Sequence, residues 1–94
     1  IASIAAAAGV DCVIGSNIEG SVGSAAMLHL AAALPNLSLS IAHEIIGPLY
    51  HTHVLDPEMP TIQDGHAVLP GGIGLGANVD FESLQNHGRV TTKN

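Results

Sequence analysis

Positive charge is almost missing from this chain. Two cations, Arg89 and Lys93, stand against eight acidic residues, for a net charge of −6 with histidines neutral. No basic stripe exists to neutralise a phosphate backbone, so a nucleic-acid partner is excluded. The same shortage leaves no basic n-region for a secretory signal, since the first cation is Arg89. A long hydrophobic run is lacking too. The longest, residues 22–34, is interrupted by His29 and stopped by Pro35, short of the ~18 residues a membrane-spanning helix needs. No membrane partner is expected. The single cysteine, Cys12, has no internal disulfide partner and reads as a small buried hydrophobe, compatible with a reducing compartment. Charged residues make up 11% of the chain and aromatics 2%, against 47% hydrophobic. An average soluble domain is roughly 25% charged, so much of this surface is expected to be covered.

What is present is organised around residues 11–34, D-C-V-I-G-S-N-I-E-G-S-V-G-S-A-A-M-L-H-L-A-A-A-L. Cys12, Val13 and Ile14 form an apolar run too short for a helix and bounded by Asp11 and Gly15, which predicts a strand covered on both faces. If the extended course continues, Val13, Gly15, Asn17 and Glu19 point one way and Cys12, Ile14, Ser16 and Ile18 the other. Polar groups then gather at the carboxyl end of the strand, where α/β sheets and barrels bind ligands. A helix follows, with Ser21 expected as its N-cap and Val22, Ala25, Ala26, Leu30, Ala33 and Leu34 at helical spacing. Its opposite side is nearly as apolar, so the helix expects neighbours on more than one side. Pro35 and Asn36 end it, and His29 within it reads as a packed core histidine.

Taken in order, the remainder is less regular. Residues 1–8 read as the last turns of an alanine-rich helix stopped by Gly9. The L-S-L-S-I of residues 37–41 alternates as a short strand or extended connector. Gly47-Pro48 is a breaker pair expected to end any helical turn in residues 43–46. Residues 49–55 read as extended. There His51 and His53 invite a metal reading, but a zinc site needs three or four ligands, and solvent-facing histidines are the simpler expectation. Asp64-Gly65 signals a tight turn between residues 61–63 and 66–69, a small hairpin. The G-G-I-G-L-G of residues 71–76 matches neither phosphate-loop spacing and reads as a turn. Asp80 is an expected N-cap for a short helix over residues 81–87 that Gly88 stops, and residues 91–94 read as a frayed end.

Four of these pieces in this order, G-S-N-I-E-G-S-V-G-S-A-A-M-L-H-L-A-A-A-L-P, H-E-I-I-G-P-L, D-G-H-A-V-L-P and G-G-I-G-L-G-A-N-V-D, resemble the mandelate racemase and muconate lactonizing enzyme family of the enolase superfamily. The resemblance covers residues 1–90. Ile73 departs from it, standing where the family usually has Pro. It implies an α/β fold: the C-terminal piece of a (β/α)-barrel, its last strand and last helix, followed by an extended tail with a small hairpin and a short helix. On that reading residues 1–36 close the barrel, and residues 37–94 form a C-terminal segment that packs back toward a capping domain. The chain opens mid-pattern and reads as a C-terminal fragment.

The resemblance also implies a chemistry, in which a proton is abstracted next to a substrate carboxylate while Mg²⁺ stabilises the enolate. Glu19, at the end of the last strand, is then the catalytic candidate, with Ser16 and Asn17 as substrate-binding candidates. From local sequence alone Glu19 reads equally as a solvated loop acid or a charge favoured by the helix dipole. As a functional group it has two roles open: protonated by burial and donating to an enolate oxygen, or ionised and binding a substrate cation or hydroxyl. The Mg²⁺ ligands and the general bases belong to segments outside this chain, so no metal ligand is assigned within it. The expectation is a racemase, epimerase, cycloisomerase or dehydratase that is inactive as this fragment alone, with a small carboxylate substrate, homo-oligomeric and cytoplasmic when complete. The alternative from a different class is a non-enzymatic interaction module, a degenerate barrel remnant whose apolar surface binds a partner.

Overall fold

The computed structural model describes residues 1–51 and 61–87. Alanine-rich sequence at the start forms helix α1, Ala2–Ala7, as its propensity dictates. Gly9 takes a φ of 69°, and its amide donates to Ala6 O while that of Val10 donates to Ala5 O. This pair of bonds is the Schellman arrangement, which satisfies the last carbonyls and favours a residue without Cβ. The chain leaves the helix there and runs extended through Cys12 and Ile14.

Cys12 pairs in parallel with Leu37. The Cys12 amide donates to Asn36 O and the Ser38 amide donates to Cys12 O, both at 2.9 Å. Leu37 thus gives this strand an in-chain parallel neighbour. The crossover that parallel pairing requires is supplied by the helix between the two partners. The pairing is one isolated bridge, however, and Val13 is 50% exposed, so the strand is covered on one side only.

Helix α2, Ser21–Ala33, is that crossover. Its N-cap is Gly20, in extended conformation and without a side-chain cap bond, and Ser21 is the first helical residue. Ser21 is instead fully buried with Ser24, Ala25 and Leu28, one stripe at i, i+3, i+4 and i+7. Ala26 and Leu30, which fall at helical spacing with Ala25 in the sequence, are exposed. An almost uniformly apolar helix carries no stripe for periodicity to find, and the returning chain chooses its inner face. That chain brings Ile45, which with Ala25 and Leu28 forms the small core, and then buried Gly47 and Pro48.

Gly47–Tyr50 is a 3-10 turn. Gly-Pro therefore opens a turn where a breaker was expected, because proline's fixed φ and missing N–H suit a first helical position. Leu49 and Tyr50 are in this turn rather than extended, His51 follows it, and residues 52–55 of that predicted segment, His53 included, lie outside the described residues. Strands β1, Ile62–Gln63, and β2, His66–Ala67, pair antiparallel with Ile62 opposite Ala67 and Gln63 opposite His66. The turn between them has positive φ at both Asp64 and Gly65, the type I′ geometry that matches strand twist. Asp80 Oδ1 accepts from the Glu82 and Ser83 amides at 3.0 and 3.1 Å and caps helix α3, Phe81–His87. His29 is half-buried rather than in the core. Its Nε2–H donates to Leu75 O at 3.2 Å, tying the glycine-rich turn to α2.

Candidate active site

The segment between the Cys12 strand and α2 is a closed polar turn. Ser16 Oγ donates to Glu19 Oε2 at 2.9 Å, the Asn17 amide donates to Glu19 Oε1 at 2.6 Å, and the Ile18 amide donates to Ser16 Oγ at 3.0 Å. Both carboxylate oxygens therefore face donors. Such donors favour the charged form, and the carboxyl of Glu19 is held below its ordinary value of 4.5, chiefly by the Asn17 amide and then by its own backbone N–H, with the Ser16 hydroxyl adding to them against partial desolvation. Of the two roles open from sequence, these contacts favour the ionised one.

Ile18 makes the turn possible. Its φ is +61°, in the left-handed region that a β-branched residue enters only at a cost of about 1–3 kcal/mol when its surroundings hold it there. They hold it at both ends, because the Ser16 hydroxyl takes its N–H and His51 Nε2–H donates to its carbonyl at 2.9 Å. The carbonyl can only accept, so Nε2 of His51 carries a proton.

Two glycines receive Glu19. A Cβ added to Gly23, on the first turn of α2, would lie 2.8 Å from Glu19 Cβ and 3.3 Å from Cγ. A Cβ added to Gly47 would overlap the backbone of Glu19 at its carbonyl oxygen. Residues 43–47 thus wrap the strand end. Ile14 N–H donates to His43 Nδ1 at 3.0 Å, His43 Nε2–H donates to Ser38 O at 3.0 Å, and the Glu44 amide donates to Ile14 O. The imidazole stands where a neighbouring strand would place a carbonyl. Its partners fix the tautomer, because Ile14 N–H can only donate and Ser38 O can only accept.

Of the three site residues expected from sequence, the turn joins Ser16 to Glu19 through side chains, while Asn17 contributes its backbone N–H and keeps an exposed side chain. Strict alternation had put Asn17 and Glu19 on one face and Ser16 on the other. The left-handed Ile18 breaks that alternation and brings Ser16 round to Glu19. His43, Gly47 and His51 were not singled out as site residues. H-E-I-I-G-P-L carried a signal for the first two, and nothing local links His51 to Ile18 across 33 positions. Among the described residues no three His, Cys, Asp or Glu side chains converge as a metal-holding group, so these residues do not fit a metal.

With this geometry in place, likenesses to known proteins become specific. Residues 1–84 match the family model described as enolase C-terminal domain-like. The chain is 37% identical over 90 residues to a chloromuconate cycloisomerase of Cupriavidus necator, covering 96% of this chain and 24% of that protein. It is 35% identical over 85 residues to muconate cycloisomerase 1 of Rhodococcus opacus, covering 90% and 22%. Among solved structures it superposes on the 2-chloromuconate cycloisomerase of Rhodococcus opacus with a TM-score of 0.83 at 31% identity, covering 95% of this chain and 24% of that one. It superposes on the muconate lactonizing enzyme of Klebsiella pneumoniae with a TM-score of 0.79 at 35% identity and the same coverage. The chain therefore spans about a quarter of the length of the curated relatives it matches. Over that quarter, sequence and fold agree: the chain belongs to the enolase C-terminal domain-like family.

Proposed function

We propose that these residues close the barrel of a cycloisomerase acting on a small unsaturated carboxylate, by way of proton abstraction next to the carboxylate, with Glu19 as the acidic group of the last strand's turn. The observation that carries the reading is the turn itself: an ionised carboxylate held by Ser16 and Asn17 at the carboxyl end of a strand that leads into α2, the end at which barrels bind substrates. The relatives' names, muconate and chloromuconate cycloisomerase, support the reaction class. Within the turn Ser16 has both its proton and a lone pair engaged, so it positions Glu19, and the exposed side chain of Asn17 is the group that meets substrate. The complete enzyme on this reading is cytoplasmic, homo-oligomeric and Mg²⁺-dependent, with its metal ligands outside these 94 residues, and the segment alone is inactive. Among the described residues no helix is long and apolar enough to cross a membrane.

The test is Glu19→Gln in the complete chain that carries this segment, assayed on muconates and other carboxylates. Glutamine keeps the shape and one acceptor but loses the charge, so the fold is expected to survive. A fall in kcat of about 10²-fold is expected for losing a group aimed at the reacting centre, with Tm within a few degrees of the parent. A kcat within about threefold of the parent, far short of that loss, would make Glu19 a structural charge.

A further inference from the structure

We infer that His51 is a positioning residue for the reaction: by donating from Nε2 to the carbonyl of Ile18 it holds that residue left-handed and thereby aims the carboxylate of Glu19. This inference rests on the reading of Glu19 given above.

The connection is short and directional. His51 Nε2–H reaches Ile18 O at 2.9 Å. Ile18 is the one residue between the two donors that set the carboxylate and the carboxylate itself, and its own N–H is fixed by Ser16 Oγ. Turning the peptide after Ile18 toward ordinary φ would rotate Glu19 about its backbone, away from the Asn17 amide and the Ser16 hydroxyl. A left-handed isoleucine does not hold itself, because its β-branched side chain is poorly suited to that region, and this side chain is 54% exposed and has little packing to confine it. The restraint at the carbonyl end comes from His51. It follows directly on the 3-10 turn Gly47–Tyr50, whose first residue is packed against the Glu19 backbone with no room for a Cβ. The histidine is therefore presented from an element already seated on the residue it controls. His51 is itself exposed, so its loss is expected to change the turn and leave the packing of α2 alone.

The experiment compares His51→Phe, which keeps a ring and removes the donor, with His51→Gln, whose side-chain amide can still donate to Ile18 O, in the complete chain beside Glu19→Gln. His51→Phe is expected to lower kcat about 10-fold, within the range that misplacement of a reacting group produces, with KM changed less than about twofold. His51→Gln is expected to recover most of that loss. In an Ile18→Gly background, where the left-handed φ is free of the Cβ clash, the loss on His51→Phe is expected to shrink, since the anchor then has less to hold. A crystal structure of His51→Phe should show Ile18 outside the left-handed region. If Glu19→Gln collapses turnover while His51→Phe does not, or if the His51→Phe loss is the same with Gly at 18, the inference about His51 is wrong and the reading of Glu19 stands. If Glu19→Gln is itself silent, both are wrong.

Discussion

Gly47 lies against the backbone of Glu19 so closely that a single added carbon would overlap the Glu19 carbonyl oxygen. The two residues belong to segments on opposite sides of α2 in sequence, and their contact fixes where the G-P-L turn sits relative to the strand end. Gly47 is buried, and its φ is not in the left-handed region, so space rather than conformation calls for glycine here. Gly47→Ala is therefore expected to destabilise the protein by about 1–3 kcal/mol, the usual cost of overpacking. It should also lower kcat by shifting Glu19. Paired thermal melts and turnover measurements check both. An unchanged Tm would show that the two segments are not held as described.

Gly23 tests the placement of Glu19 from the side of α2. Glycine inside a helix costs about 1 kcal/mol relative to alanine, so Gly23→Ala gains propensity in α2. The new Cβ would stand 2.8 Å from Glu19 Cβ, an atom whose position the Glu19 backbone sets, so the turn itself has to shift to admit it. The expected outcome is a Tm at or below that of the parent, because the gain in propensity offsets only part of the usual overpacking cost of about 1–3 kcal/mol, together with a clear loss of kcat. Were activity to survive along with the stability, the placement of Glu19 over α2 would be mistaken.

Local chemistry made some of this legible in the sequence, and distance hid the rest. Gly9, Asp64-Gly65 and Asp80 act on neighbours within a few positions, and each sits in the geometry its residue type favours: a left-handed stop, a I′ turn and an N-cap. The inner face of α2 was not legible, because a helix apolar all round leaves the choice to what packs on it, and Ile45 and Pro48 come from more than a dozen residues away. The candidate site divides the same way. Glu19 stood out as the acid after a buried strand, but its partnership with Ser16 depends on a left-handed isoleucine that no propensity suggests. The contacts of His43 and His51 join positions 29 and 33 apart.

The imidazole of His43 completes the strand edge that Leu37 begins, since it accepts from Ile14 N–H and donates to Ser38 O. His43→Leu would leave both backbone groups without this partner. Each such loss costs about 1–3 kcal/mol where the group is buried, and for these half-buried groups a total near the lower end is expected. His43→Asn should fall between leucine and the parent, because its shorter amide reaches one partner at most. Denaturant melts give the stabilities, and hydrogen exchange at the Ile14 amide reports the local bond. Equal exchange at Ile14 in the parent and His43→Leu would show that the ring does not hold that amide.

The depressed pKa of Glu19 makes a prediction about acid. Its folded carboxyl titrates below the ordinary 4.5, chiefly because the Asn17 amide and its own backbone N–H stabilise the charged form. A group of this kind adds stability that is fully present above its unfolded pKa and disappears as pH falls through the lower folded value. The parent should therefore exceed Glu19→Gln in Tm by a constant margin from neutral pH down to about 4.5, and the margin should close below that. Ser16→Ala removes the hydroxyl that also donates to the carboxylate, so its carboxyl should titrate closer to 4.5, and its own margin over the Ser16→Ala/Glu19→Gln double variant should be smaller and finish closing at a higher pH than the parent's. Carbon-detected NMR of the Glu19 carboxyl across the same range measures the shift without reference to stability. A midpoint above 4.5 in the parent would mean that burial outweighs the donors, and would return Glu19 to the role of a protonated acid.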